Sequence, residues 1–277
     1  MLHAILNGKS GRIETNSDES VSWRTLFKAR EDLLTAAVFG RFSYLSPSIQ
    51  ANLMCQMFND ASLDLGEFED IDFWPSYQLE DSDNKRRVEP DLVLRFTSAT
   101  VIVEIKPPAG GAQYYDQWYR EVAAFEENDD GPEKSLYFLA IGNIDRRNSK
   151  SWCTALLERF AGLNGVGTIT WSDTVSYINE LNKNETVLTC QRDRRILADI
   201  LKALSLYGLN TSGFEWSDIL SHSLPRLTLT SLPPAKEHQP QGGSPSEISA
   251  IFDNQLPHLN LSILQTWSKI NHEIESN

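Results

Sequence analysis

Cysteine is scarce in this chain: three in 277 residues, at Cys55, Cys153 and Cys190, with no CxxC spacing and no neighbouring histidine. An odd, scattered set excludes a disulfide framework and a zinc finger, and buried, reduced thiols are expected instead. Histidine is equally thin, and His3, His222, His238, His258 and His272 never form a ligand-spaced pair. Zinc chemistry and Ser/His nucleophilic catalysis both lose ground. Long apolar runs are missing too, since none approaches the roughly 20 residues that a membrane-crossing helix needs. The opening segment 1–7 lacks the charged start and apolar centre of a secretory signal. A soluble, cytoplasmic chain without a membrane partner is the expectation.

Positive charge is the remaining shortage. There are 25 Lys and Arg against 38 Asp and Glu, a net charge of −13. Phosphate is gripped by Lys and Arg that displace counterions, so bulk electrostatics does not draw this chain to nucleic acid. Between Asp60 and Asp83 there are nine acidic residues and no Lys or Arg. Such a run is a solvated face, a dock for a basic partner, or a surface that keeps nucleic acid off one side.

What is present is the composition of a globular protein, 40% hydrophobic and 10% aromatic, long enough for one sizeable core with an appendage. Periodicity predicts a helix over 20–42, with Phe27, Leu34, Val38 and Phe42 on one stripe. A second starts at Ser46 or Ser48, beside Pro47, and carries Ile49, Leu53 and Met57. The acidic segment is extended, with Phe73-Trp74-Pro75 at a strand or its edge. Lys85-Arg86-Arg87 leads into a half-buried strand over 88–96, and after the link 97–100 a β-branched strand over 101–106 stops at Pro107-Pro108. Gly110-Gly111 opens a helix over 113–125 whose apolar stripe is Tyr114, Trp118, Val122 and Phe125, ended by an acidic loop near 129–132. A strand at 136–141, a helix at 152–160, a strand at 168–171, a helix to 181 capped by Ser172-Asp173, and a helix at 192–207 follow. Beyond Gly208 come turns, the polar stretch 233–246 and a last helix over 259–274. The predicted organisation is a domain over 1–208, a polar irregular linker over 209–257 and a C-terminal helix over 258–277. The class is α/β, a mixed sheet with helices on both sides.

The hairpin 88–106 carries the chemistry. With Ser98-Ala99 as a two-residue turn, Asp91 faces Lys106 and Val93 faces Glu104. Side chains alternate with period two, so Asp91, Glu104 and Lys106 share one face, while Leu92, Leu94, Val101, Val103 and Ile105 project from the other. Two carboxylates beside an ammonium suit a hard divalent cation such as Mg²⁺ or Mn²⁺. The same residues also read as a surface Asp–Lys cross-strand pair, worth under about 1 kcal/mol, and spacing alone favours that reading.

Pro90-Asp91, twelve intervening residues and Glu104-Ile105-Lys106 on a hydrophobic strand resemble the signature of the PD-(D/E)xK, or restriction-endonuclease-like, nuclease superfamily. The short motif recurs by chance; the hairpin context with a helix on either side gives it specificity, and the resemblance spans about residues 20–171. It implies a restriction-endonuclease-like central sheet, metal held by Asp91, Glu104 and the main-chain carbonyl of Ile105, and Lys106 beside the attacking water. Many such nucleases carry a further Glu on the preceding helix, which Glu31 supplies here; a carboxylate on an apolar stripe must be paired, metal-bound or at a cleft edge. Some branches place a supporting Gln on the following helix, and Gln113 or Gln117 fits, although no Tyr lies four residues after either. Tyr115 and Tyr119 accompany the stripe, and aromatics so placed either stack on bases or, more often, are buried. Lys85, Arg86 and Arg87 are the preferred phosphate contacts, ahead of Arg146-Arg147 with Lys150 and of Arg192, Arg194 and Arg195.

The resemblance implies a Mg²⁺-dependent phosphodiesterase acting on DNA, in a restriction-type or antiphage defence setting. A protein partner or a second copy would supply the DNA grip that the acidic chain lacks. The acidic charge and polar tail leave open a non-catalytic assembly subunit of the same fold. A glycosidase is remote, because its paired acids sit on separate strands without a central Lys.

Overall fold

Residues 2–14, 20–28, 30–81, 84–128 and 134–212 are described in the computed structural model, all within the unit Met1–Glu215. The acidic loop near 129–132, most of the predicted linker and the predicted last helix lie outside them. Along the chain stand helix α1 (Leu2–Leu6), strands β1 (Arg12–Glu14) and β2 (Ser20–Ser22), and helices α2 (Trp23–Lys28), α3 (Glu31–Phe42) and α4 (Pro47–Phe58). Strands β3 (Phe68–Phe73), β4 (Tyr77–Asp81), β5 (Asn84–Val88), β6 (Leu92–Phe96) and β7 (Ala99–Ile105) follow. Helix α5 (Tyr115–Asn128), strand β8 (Ser135–Ile141), helix α6 (Arg146–Arg159), strand β9 (Leu163–Ile169) and helices α7 (Trp171–Lys183) and α8 (Gln191–Leu206) complete the order.

The central sheet is five-stranded and mixed, in the order β3-β6-β7-β8-β9. Its first three strands are antiparallel and β7, β8 and β9 run parallel. Parallel strands are covered on both faces, which is why β7 reads as a continuous apolar run and is buried along its whole length. Alternation sends Leu92, Leu94, Val101, Val103 and Ile105 into one core with α3, α4, α7 and α8. Val93 and Ile102 enter a second core with Trp118, Val122 and Phe125 of α5 and Leu156 of α6. The result is an α/β protein with helices on both faces, as the sequence predicts, and each fully buried side chain of this kind contributes about 1.5–3 kcal/mol. Among the described residues no helix is long and apolar enough to cross a membrane.

Several local expectations are corrected. The helix predicted over 20–42 is instead strand β2, helix α2 and helix α3, because Arg30 adopts an extended conformation (φ −121°, ψ 114°) and restarts the helix. Phe27 and Leu34 are both buried, so their spacing mimicked one stripe across a break. Glu31 and Asp32 fall in the first turn of α3, where the helix dipole favours acids. The strand predicted over 88–96 is split at Glu89-Pro90, since proline cannot donate to a ladder. Val88 pairs with Tyr77 in a separate β4–β5 hairpin that the sequence reading missed.

The β6–β7 turn is Thr97-Ser98 rather than Ser98-Ala99, because Thr97 and Ser98 hydrogen-bond to Glu67 and Leu65 and Ala99 already belongs to β7. Arg95 pairs with Thr100 and Leu92 with Val103. The register is therefore shifted by two from that expected, and an even shift leaves every side chain on its face. Helix α5 begins at Tyr115, so Tyr114 is exposed, at 61%, rather than part of the core stripe. Helix α6 starts at Arg146, where Asp145 caps it by accepting from the Arg147 N–H. Strand β9 begins at Leu163, and Thr170, not Ser172-Asp173, caps α7 by accepting from the Asp173 N–H. The free cysteines are more exposed than expected: Cys55 and Cys153 are half-buried and Cys190 is exposed.

Candidate metal centre

Two prolines place the key side chains at the adjoining ends of two interior strands: Pro90 separates β5 from β6, and Pro107 follows the end of β7. Asp91 precedes β6. Its carbonyl accepts from the Trp74 N–H at 3.0 Å, a contact made with Trp74 in the left-handed region at φ 50°. Its Oδ2 accepts from the Ile105 N–H at 2.7 Å, which orients the carboxylate toward the end of β7. Carried one pair further, the observed register sets Asp91 level with Glu104. Lys106 is pinned by its own backbone: its N–H donates to the Ile141 carbonyl at 2.8 Å and its carbonyl accepts from Trp171 Nε1 at 2.8 Å. This needs glycine at 142, which has φ +83° and where a Cβ would stand 2.1 Å from the Lys106 carbonyl.

One carboxylate oxygen from each of Glu31, Asp91 and Glu104 lies within 4.8 Å of the others. Lys106 Nζ reaches Glu31 Oε1 at 3.4 Å and also contacts Glu104 Oε1. Asp91 and Glu104 are buried and Glu31 is half-buried. Burial, and next the Glu104 charge, push the Asp91 carboxyl up to about 8. Burial likewise raises Glu31, which Lys106 partly offsets. For Lys106 burial alone would lower the ammonium, but Glu104, Glu31 and Asp91 outweigh it and hold the pKa above the usual lysine value. Too many carboxylates meet in too little water, and the group is stable only with protons or a cation.

Of the two candidate glutamines, Gln117 reaches the site. Its Nε2 donates to Glu104 Oε1 at 2.7 Å and to Glu121 Oε1 at 3.0 Å. Gln113 lies before α5 and acts on the scaffold: its Nε2 donates to the Ile141 carbonyl at 3.2 Å and its Oε1 accepts from Trp118 Nε1 at 2.8 Å. Glu121 was missed. It is 1% exposed, its Oε2 has no hydrogen-bond partner among the described residues, and burial, then the Glu104 charge and a hydrogen bond with Glu104, raise its pKa well above the carboxylate range. The signal was available, because Glu121 follows Gln117 by one helical turn on the flank of the Trp118, Val122 and Phe125 stripe.

Arg86 and Arg87 are exposed on β5, and Arg87 pairs with Glu89. Neither contacts the three carboxylates among the described residues, and the side chain of Lys85 lies outside the description. Arg147 pairs with Asp145, and Arg192 lies 3.6 Å from Asp193.

No family model and no solved structure matches the chain. It is similar to an uncharacterized protein, PM0110, of Pasteurella multocida strain Pm70, at 28% identity over 243 residues, covering 81% of this chain and 89% of that protein.

Proposed function

We propose that the chain is a divalent-metal-dependent nuclease with a restriction-endonuclease-like fold, hydrolysing phosphodiester bonds at the adjoining ends of strands β6 and β7. The observation that carries the reading is the meeting of Glu31, Asp91 and Glu104 within 4.8 Å, with Lys106 Nζ beside two of them. Hard oxygen donors of this kind fit Mg²⁺ or Mn²⁺, and a set without sulfur or imidazole does not favour zinc. Asp91 and Glu104, with Glu31, would hold the ion, and the Ile105 carbonyl lies between the Glu104 and Lys106 side chains in sequence. Bound there, a divalent ion lowers the pKa of water and offsets charge on phosphoryl oxygens.

The chain's own residues do the rest. Asp91 is oriented by the Ile105 N–H and Glu104 by Gln117. Lys106, whose surroundings keep it an ammonium, acts as a charged donor to the water or to the phosphoryl oxygen rather than as a base. The exposed Arg86 contacts the backbone of the substrate. A net charge of −13 leaves DNA grip to a partner or a second copy.

Purified protein is incubated with supercoiled, linear and single-stranded DNA, and with RNA, in Mg²⁺ or Mn²⁺ and in EDTA. Metal-dependent cutting that is lost in Asp91→Ala and Lys106→Ala supports the reading. Absence of cutting together with absence of divalent-ion binding that depends on Asp91 moves the chain to the non-catalytic assembly role; ion binding without cutting points to a missing partner or trigger.

A further inference from the structure

The metal reading leaves Glu121 unused. It is 1% exposed, lies on α5 rather than on the motif hairpin, and is not among the carboxylates that converge within 4.8 Å. A buried carboxyl in a protein interior is costly unless it has a task or a partner. The Gln117 amide nitrogen bridges Glu121 Oε1 at 3.0 Å and Glu104 Oε1 at 2.7 Å, and the two carboxyl groups also lie within hydrogen-bond reach of each other.

An amide side chain has two faces, and only the NH₂ face suits Glu104; a half-turn about the last torsion would aim the Gln117 oxygen at a carboxylate. Nothing in Gln117 itself selects between these. Glu121 does, because it accepts the second N–H one turn further along α5, where a reversed amide would set two oxygens against each other. Glu104 is in turn held by this NH₂ and by Lys106.

Resting on the metal reading above, we propose that Glu121 is a positioning residue that locks the Gln117 amide, and that the locked amide fixes the Glu104 carboxylate for its divalent ion. Glu121 is not a ligand. Outer-shell partners of this kind change metal affinity about ten- to a hundredfold when lost. Glu121→Met removes a buried carboxyl that desolvation and the Glu104 charge disfavour, which offsets the Gln117 N–H that it leaves unpaired. A purely structural Glu121 would therefore not give a protein that melts no lower and binds metal worse.

The test compares the wild type with Glu121→Met, Glu121→Gln and Gln117→Met. The measurements are Mn²⁺ titration calorimetry, thermal unfolding in EDTA, and the side-chain amide resonances of Gln117 in ¹⁵N-labelled protein. Glu121→Met is expected to melt no lower than the wild type, to shift or average the two Gln117 amide protons, and to bind Mn²⁺ about ten- to a hundredfold more weakly. Gln117→Met gives the same loss and the double variant no more, because the two act as one unit. Glu121→Gln keeps an acceptor for Gln117 and stays within about threefold of wild type. Glu121→Leu replaces Glu121→Met if the latter does not fold.

Unchanged Mn²⁺ affinity or unchanged Gln117 resonances in Glu121→Met overturn the proposal. So does a Glu121→Gln protein as weak as Glu121→Met, which would make the charge, and hence ligation, the requirement. A wild type that takes up no Mn²⁺ sinks the metal reading instead, and the Gln117 resonances still decide whether the lock exists.

Discussion

Asp91 offers the most informative perturbation, because the fold holds its carboxyl where ionisation is resisted. Its pKa of about 8 in the folded protein compares with about 3.9 in an unfolded chain. Below about pH 4 both states carry the proton, and the favourable contribution of the buried acid is complete. Between about pH 4 and 8 the unfolded chain has released the proton while the folded chain retains it, so stability falls as pH rises, by up to about 1.4 kcal/mol per pH unit. At pH 7 the accumulated loss is at most about 4 kcal/mol, and relaxation with entry of water brings it to about 2–4 kcal/mol. Asp91→Asn removes the titration, keeps the shape, and keeps an oxygen for the Ile105 N–H at 2.7 Å. In EDTA at pH 7 it should melt about 5–15 °C above the wild type, with a shallower decline between pH 5 and 8. Saturating Mg²⁺ should reverse the order, since only the wild type gains stability from the ion. Scanning calorimetry of both proteins across that range, with and without Mg²⁺, is the assay. Parallel pH profiles, or an Asp91→Asn protein that melts no higher in EDTA at pH 7, would refute the reasoning.

Three further outcomes follow from the site and its frame. Lys106→Met should lose cutting by at least about a hundredfold while binding Mn²⁺ no more weakly, because the ammonium shares the carboxylates with the ion; a cleavage assay beside calorimetry separates the two. Gly142→Ala should lower stability by more than about 2 kcal/mol, through a left-handed φ and a Cβ forced against the Lys106 carbonyl, as denaturant unfolding would show. Arg86→Ala should weaken DNA binding about equally across sequences and reduce the slope of log affinity against log salt by about 1, measured by fluorescence anisotropy.

The shared face of Asp91 and Glu104 was legible in the sequence for a simple reason: period two in a strand is unforgiving. Asp91 and Glu104 fall on one face in every register that differs by an even number of residues, so a turn misplaced by one residue, which shifts the pairing by two, leaves them together. The helical stripe of α5 was legible from Trp118, Val122 and Phe125, and the cap at Ser46-Pro47 from turn chemistry. What escaped notice carried a weak or misleading local signal. Strand β9 was read too short because Gly165 and Gly167 lie within it, and glycine argues against strands; Gly167 is there because a Cβ would stand 2.8 Å from the Phe58 ring. The break at Arg30 was hidden by a helical spacing that ran across it. The β4–β5 hairpin carries charge where an apolar alternation was sought, and among its described residues Leu79 is the one buried apolar side chain. Glu121 was passed over because a glutamate on a helix ordinarily faces water, and only the packing of α5 on the sheet turns it toward Glu104.

The central claim is that Glu31, Asp91 and Glu104 form a divalent-ion site, and calorimetric titration of the full chain with Mn²⁺ tests it most directly. Saturable uptake is predicted, weakening about tenfold per unit as pH falls below about 8, and abolished in Asp91→Ala. No saturable uptake, or uptake indifferent to Asp91→Ala, would contradict it.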